Sequence, residues 1–144
     1  MESTRRVEVL YDGIMHCTAK QAEGKKMVVM DAPATWGGTN AEEFAPDELV
    51  AAGLGGCTLM SIEMGLASQQ RNIDLRGVIV SAVVRMACGT SQRVAGIDIE
   101  VRLPRVISEE DRAALEQAAK KCPLTISFHP DIPITLEFKY PERH

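Results

Sequence analysis

The chain has 144 residues, enough for a single domain with its own hydrophobic core, and we expect one domain over residues 1–144. Its composition, 45% hydrophobic and 25% charged, is typical of a soluble globular protein and argues against a disordered or fibrous chain. The formal net charge of -4 and the scattered lysines and arginines provide no basic surface, so nucleic acid is not an expected partner.

The N-terminal sequence and the cysteines predict a cytoplasmic protein without a metal site. The start, MESTRRVEVLYDG, lacks the apolar region of a signal peptide, and no stretch approaches the roughly 18 apolar residues that a membrane helix needs. Cytosolic thiols are kept reduced, so a disulfide here would be catalytic or redox-sensing. The four cysteines form no CxxC pair, and their spacing gives no support to a zinc site: Cys17, Cys57, Cys88 and Cys122.

The chain begins with predicted β-structure. RRVEVLY (residues 5–11) and KMVVM (residues 26–30) are short β-rich runs separated by turn-forming residues, which indicates a hairpin or a meander. Residues 32–45 contain glycines, a proline and an acidic pair, and we interpret them as a surface loop.

A long helix is predicted over residues 46–70. Pro46 suits the first turn, and Asp47 and Glu48 suit the positive end of the helix dipole. Residues 49–62 carry no charge, which predicts that the helix is largely buried. Its glycines cost about 1 kcal/mol each against alanine, so we expect either a break in the helix or a closely packed backbone beside Cys57.

The second half of the chain predicts a β-hairpin, a helix and a final strand, giving an α+β fold. Residues 75–87 and 95–103 form the strands of the hairpin, with Cys88 at its tip. Ser108 begins the next helix, whose apolar face carries Cys122 in its last turn, and Pro123 ends it. The alternating run ITLEFKY then predicts the closing strand.

Cys57 and Cys122 are open to two interpretations. Free cysteines are usually small buried hydrophobic residues, and this is the simpler interpretation. Alternatively, the Cys57 thiolate attacks the O–O bond of a peroxide, and Cys122 condenses with the resulting sulfenic acid. Only tertiary folding could bring two residues that are 65 positions apart to the Cα separation of about 4.4–6.8 Å that a disulfide requires.

Two segments of the chain resemble the OsmC/Ohr family of osmotically induced and organic-hydroperoxide-resistance proteins. They are PDELVAAGLGGCTLMSIEMGLA, in which an acid stands ten positions before a cysteine, and AAKKCPLTISFHPDIPI, which contains the pattern A-x-x-x-C-P. The resemblance implies an OsmC-like fold in which antiparallel sheets wrap around long central helices in an intertwined homodimer.

The resemblance also implies a thiol-dependent peroxidase that reduces organic hydroperoxides. Cys57 matches the peroxidatic cysteine and Cys122 the resolving cysteine, so a Cys57–Cys122 disulfide is the implied intermediate. Asp47 matches an active-site glutamate, and the adjacent Glu48 could supply the carboxylate instead. No cofactor is implied, and an external dithiol, such as a lipoyl group, would regenerate the thiols. The residues expected to border an apolar site are Leu54, Leu59, Met60, Leu124, Ile126 and Phe128.

The chain departs from the family in its cationic residues. Family peroxidases usually pair the glutamate with an arginine from the N-terminal region, but this chain has no arginine between Arg6 and Arg71. Either a basic residue replaces it, or the glycine break places Cys57 near a helix N-terminus. An unbroken helix would hold Asp47 about 15 Å from Cys57 along the axis. The candidate basic residues are His16, Lys20 and Lys25, with His129 as a further residue that could approach the site.

Two other functions remain compatible with the sequence. One is a non-catalytic redox-sensing or ligand-binding protein on the same scaffold, which the missing arginine and the change from glutamate to aspartate favour. The other is an enzyme that uses Cys57 as a covalent nucleophile on acyl or thioester substrates.

Overall fold

The structure of the protein, a computed structural model, describes residues 1–39 and 43–143 and confirms the α+β class. Residues 40–42 of the predicted loop lie outside the described part of the chain. Within the described residues, the six strands and two α-helices are, in chain order, β1 (Val7–Gly13), β2 (His16–Gln21), β3 (Met27–Asp31), α1 (Pro46–Ser68), β4 (Ile79–Met86), β5 (Val94–Arg102), α2 (Glu109–Ala119) and β6 (Ile134–Lys139).

The chain divides into two compact units, Met1–Leu49 and Val50–His144. The first contains a three-stranded antiparallel sheet in the order β1-β2-β3, which is the meander that we considered, although the middle strand was missed. The second contains a three-stranded sheet in the order β4-β5-β6. A single domain over the whole chain stays a prediction.

The second sheet is mixed, which differs from the antiparallel sheets that we expected. β4 and β5 form the predicted antiparallel hairpin, whereas β6 lies parallel to β5, with Ile99 opposite Leu136. A parallel neighbour requires a crossover connection, and α2 lies within the segment that connects β5 to β6. Cys88 lies in the loop of the hairpin, as predicted, and its side chain is exposed.

The hydrophobic core of the second unit lies between one face of this sheet and the two helices. Apolar residues at alternate positions of β5 point towards the core, so the strand presents one buried face, as its sequence predicts. The core residues that are buried are Leu54, Ile62, Leu66, Ile97, Ile99, Val101, Leu103, Ala114, Leu115 and Ala119.

Helix α1 is continuous from Pro46 to Ser68, so the predicted break at the glycines is wrong. The expectation that the helix is largely buried is also wrong for the single chain, because its buried positions form only one strip. Met60 and Met64, for example, are 68% and 73% exposed. The residues of the buried strip are Leu54, Gly55, Thr58, Ile62 and Leu66.

The composition of α1 corrects the expectation that no segment is long enough to span a membrane. The helix has 23 residues and contains an 18-residue window with mean hydropathy 1.5. Small residues such as glycine, alanine and serine make up much of this window, so the segment is harder to recognise in the sequence as an apolar run. Core helices of soluble proteins have the same length and composition, and Leu54, Ile62 and Leu66 pack in the core of the second unit.

Helix α2 begins as predicted and ends earlier than predicted. The side chain of Ser108 is the N-cap and accepts a hydrogen bond from the Asp111 N–H (3.1 Å). The helix ends at Ala119, so Cys122 lies three residues beyond it rather than in its last turn. Its side chain still faces inward, because the chain continues in a turn in which the Cys122 N–H donates to the Ala119 carbonyl.

Candidate functional site

The glycines of α1 allow close packing instead of breaking the helix. A Cβ on Gly55 would contact Val80 of β4 at 3.4 Å, and a Cβ on Gly65 would overlap the Cβ of Ala118 on α2. Gly53 and Gly56 face open space. The glycines before Cys57 therefore bring no other backbone close to that residue, because Gly55 meets only the Val80 side chain; the close approach of another backbone is at Gly65, which lies outside that cluster.

An apolar groove of about 980 Å³ follows the exposed side of α1 and the segment that ends α2. Cys57 lies on its wall, directly after Gly56. Lys121 is the one charged side chain among the described residues that line this groove. The other lining residues are small, apolar or neutral: Ala52, Gly53, Met60, Ser61, Met64, Gly65, Ser68, Gln69, Gln117, Ala118, Pro123 and Leu124.

Cys57 is a half-buried thiol that favours its protonated form. Its Sγ lies 4.0 Å from the hydroxyl oxygen of Ser61, one helical turn further on. Burial raises the pKa of Cys57, and the neighbouring Cys122 raises this pKa further; the Leu124 N–H and Ser61 act in the opposite direction. Within the single chain, Cys57 therefore does not ionise readily.

Cys122 is fully buried and is the more acidic thiol of the pair. Burial opposes its ionisation, but the proximity of Cys57, of Thr125 and of the backbone N–H groups of Leu124 and Thr125 outweighs it and lowers its pKa. The Thr125 hydroxyl is buried and has no hydrogen-bond partner among the described residues. Cys57 and Cys122 each shift the pKa of the other, so the two thiols lie close together.

The structure thus brings two of the four sequence-predicted site residues together, Cys57 and Cys122. All four cysteines are free, so the pair is in its dithiol state. Asp47 and Glu48 lie instead in the first turn of α1. At 1.5 Å per residue, the unbroken helix separates Asp47 from Cys57 by about 15 Å along the axis. The carboxylate role stays a prediction, and the helix of a single chain does not support it.

Of the basic residues that were predicted to replace the family's arginine, the two histidines have partners on neighbouring residues, and Lys20 and Lys25 are exposed. His16 Nδ1 lies 3.0 Å from Asp12 Oδ2, to which the Thr18 hydroxyl also donates a hydrogen bond. His129 is exposed, and its ring nitrogen accepts from the Asp131 N–H. The continuous helix also excludes a helix N-terminus at Cys57.

The residues expected to form the apolar surroundings of Cys57 were predicted correctly only in part. Met60 and Leu124 line the groove, whereas Leu54 is in the core, and Phe128 packs against the core. Sequence reasoning missed Ser61 and Thr125. Their positions, four residues after Cys57 and three after Cys122, are the signal that could have found them, because these spacings bring side chains together across one turn.

The described residues contain no group of three or more histidine, cysteine, aspartate or glutamate side chains that could hold a metal ion. The reactive groups of the site are therefore the two thiols beside the apolar groove. Two such thiols can cycle between dithiol and disulfide.

The comparisons with known proteins give a family and a fold. A family model described as OsmC-like protein matches residues 38–137. No curated protein sequence matches the chain at significant similarity.

Solved structures that resemble the chain cover nearly its whole length. A Psychrobacter arcticus 273-4 protein, described as an osmotic stress induced and detoxification response protein, has a TM-score of 0.80 at 23% identity, covering 98% of both chains. An organic hydroperoxide resistance protein from Elizabethkingia anophelis has a TM-score of 0.78 at 20% identity, covering 98% of this chain and 99% of its own. The organic hydroperoxide resistance protein OhrB of Bacillus subtilis has a TM-score of 0.71 at 19% identity, covering 95% of this chain and 98% of its own. At these identities the likeness shows the fold.

Proposed function

Because the chain belongs to the OsmC-like protein family, we propose that it is a thiol-dependent peroxidase that reduces organic hydroperoxides in the cytoplasm. The observation that carries this proposal is the proximity of the buried Cys122 to Cys57, which lies on the wall of an apolar groove. The names of the organic hydroperoxide resistance proteins among the similar structures agree with it.

The proposed chemistry begins at Cys57, which is the thiol on the groove wall. Its sulfur attacks the terminal oxygen of the hydroperoxide, the O–O bond breaks, and Cys57 sulfenic acid and an alcohol result. Cys122 then attacks the sulfenic sulfur, expels water and forms the Cys57–Cys122 disulfide. An external dithiol, such as a lipoyl group, reduces the disulfide by two exchange steps.

The groove supports an apolar substrate in preference to hydrogen peroxide. Its lining includes methionine, leucine and alanine side chains and three glycines beside neutral polar residues, and Lys121 is its one charge among the described residues. An alkyl or aryl hydroperoxide would bury apolar surface there, which stabilises the complex by about 25 cal/mol per Å² of that surface.

A homodimer is part of the proposal. Exposed apolar residues of α1, such as Met60 and Met64, leave a long uncharged helix face in contact with water. Contiguous apolar surface of this kind usually marks an interface, and a second copy of the chain is the proposed partner. Sedimentation should show a dimer, and Met64→Glu should shift it towards monomer, whereas Ser91→Glu in the exposed β4–β5 loop should not.

The peroxidase reaction is tested with the fully reduced protein and about one equivalent of tert-butyl hydroperoxide. We expect loss of peroxide and a Cys57–Cys122 bridge on peptide mapping by mass spectrometry. With excess dihydrolipoamide we expect many turnovers. Cys57→Ser should abolish peroxide consumption, and Cys88→Ser, which replaces an exposed thiol, should retain it.

Two outcomes would reject the reaction. One is survival of the peroxide with the wild-type protein, and the other is equal consumption by Cys57→Ser. The rival function, a redox sensor without turnover, is favoured by the lack of an arginine between Arg6 and Arg71. It predicts stoichiometric oxidation of the cysteine pair that no dithiol converts into continued peroxide consumption.

A further inference from the structure

Helix α1 carries three hydroxyl side chains, and the partner of one of them differs from the partners of the other two. The hydroxyls of Thr58 and Ser68 each donate to a backbone carbonyl of the preceding turn at 2.8 Å. Serine and threonine within helices commonly form this kind of hydrogen bond. The Ser61 hydroxyl lies instead 4.0 Å from the sulfur of Cys57. It is therefore directed at the proposed nucleophile and not at the helix backbone.

The position of Ser61 follows from the geometry of the helix. Ser61 and Cys57 are four residues apart in a continuous helix, so their side chains share one face of α1. Helical side chains lean towards the N-terminus, which brings the Ser61 hydroxyl towards the preceding turn and Cys57. Both residues are half-buried and line the apolar groove. A peroxide that reaches the sulfur from this groove therefore also meets the hydroxyl.

The chemistry of the two groups determines which of them donates. While Cys57 is a thiol, either group can donate to the other. Once Cys57 has lost its proton, its sulfur can only accept, so Ser61 is then the donor. A hydrogen bond to an ionised acceptor is shorter and about twice as strong as one to a neutral acceptor. The contact therefore favours the thiolate, which is the nucleophilic form of cysteine.

The other groups that face Cys57 among the described residues do not include a charged side chain that stabilises its thiolate. Cys122 faces it from the segment after α2, and Lys121 is the one charged side chain among the described residues that line the groove. Burial raises the pKa of Cys57, and Cys122 raises it further, whereas the Leu124 N–H and Ser61 act in the opposite direction. Ser61 is thus a side-chain donor at a thiol that otherwise favours its protonated form.

We propose that Ser61 is the hydrogen-bond donor that stabilises the Cys57 thiolate in the first step of peroxide reduction. This inference rests on the proposed peroxidase function and adds a donor to its site. Cys57 first gives its proton to water. Its thiolate bonds to the terminal oxygen of the hydroperoxide, the O–O bond breaks, and the leaving alkoxide takes a proton from water to become the alcohol. Ser61 keeps its own proton throughout, and Cys57 becomes the sulfenic acid.

The test measures the rate at which iodoacetamide labels Cys57 in the full-length protein at several pH values. Peptide mapping by mass spectrometry separates this label from that on the other cysteines. Ser61→Ala removes the donor and retains a good helix former. Loss of a hydrogen bond to a charged group reduces the population of the charged form about tenfold, and the higher nucleophilicity of the remaining thiolate offsets part of this. We expect labelling to be about threefold slower at neutral pH, and this deficit should disappear as the pH rises through the pKa of Cys57.

Two further variants are the controls. Ser61→Thr retains the hydroxyl and should be labelled as fast as wild type. Ser68→Ala removes a hydroxyl of the same helix that donates to a carbonyl, and it should leave the labelling of Cys57 unchanged. Equal labelling of wild type and Ser61→Ala at every pH would overturn the inference. A deficit of the same size at every pH would also overturn it, because a structural disturbance would then be the cause.

The same variants are then compared in the single-turnover oxidation of Cys57 by tert-butyl hydroperoxide. We expect Ser61→Ala to slow this step about threefold at neutral pH and Ser61→Thr to restore it. If the wild-type protein leaves the peroxide intact, the proposed function fails, and the labelling rates still show whether Ser61 stabilises the thiolate. If the wild-type protein consumes the peroxide and Ser61→Ala does so at the same rate, the inference alone fails.

Discussion

The two compact units of the chain have similar sheets but very different cores. Each contains three strands, yet the first unit buries only Ala19, Asp31 and Ala32 among its described residues, whereas the second packs two helices against its sheet and buries a cluster of large apolar side chains. In the first unit, Leu10 is 67% exposed, and in the second, Leu115 is 0% exposed. A sheet without a covering layer has no means of burying its apolar side chains. The difference indicates that the second unit holds most of the stability of the single chain.

The largest expected effect tests this difference directly. Leu115→Ala should lower the free energy of unfolding by about 2–5 kcal/mol, because it leaves a cavity in the core of the second unit. The matched change in the first unit, Leu10→Ala, should alter it by about 0.5 kcal/mol or less when measured by urea unfolding at low protein concentration. Equal effects of the two changes would refute the comparison.

Packing between the helices of the second unit should give the next largest effect. Gly65→Ala places a methyl group against Ala118 and should destabilise the protein by about 1–3 kcal/mol. Gly53→Ala, in the same helix but facing open space, should instead stabilise it by up to about 1 kcal/mol through helix propensity. If both variants shift the midpoint temperature of thermal unfolding in the same direction, that result would contradict the close approach of α1 and α2.

The N-cap of α2 should give a smaller effect. Ser108→Ala removes the acceptor of the Asp111 N–H and should cost about 1 kcal/mol in the free energy of unfolding. Ser108→Asp, which retains an acceptor, should keep most of the free energy of unfolding that the alanine variant loses. If the alanine variant is as stable as wild type, the cap does not contribute.

The smallest effect concerns the response of the second sheet to acid. Arg85 on β4 and Thr135 on β6 both donate hydrogen bonds to Asp98 on β5, and they lower the pKa of Asp98. Because the folded pKa is lower than the unfolded one, this contribution is present above the unfolded pKa of about 3.9 and is lost as the pH falls through the folded pKa.

Asp98→Asn should therefore weaken the dependence of stability on pH below about pH 5, measured by urea unfolding at several pH values. Thr135→Val, which removes the second of the two donors, should weaken it less. An unchanged acid response in Asp98→Asn would show that Asp98 makes no such contribution.

The sequence by itself determined the α+β class, the hairpin of the second sheet, the start of α2 and the strand β6. Each has a local physical cause: the two-residue alternation of β5 and β6, the N-cap at Ser108 and the turn residues between strands. The motifs around Cys57 and Cys122 also identified the family, which the family model confirms. The middle strand β2 was missed because its sequence, HCTAKQ, has little apolar alternation.

Only the tertiary structure decided what the glycines of α1 do and which thiol is the more acidic. The cost of each glycine predicted a break, but the helix continues, and at Gly65 the close approach of Ala118 leaves no room for a side chain. The acidity of Cys122 depends on backbone N–H groups of the following turn and on Cys57, which is 65 residues away in the sequence. Residue types and spacing do not encode the direction of those donors, because only the folded backbone brings them to one sulfur.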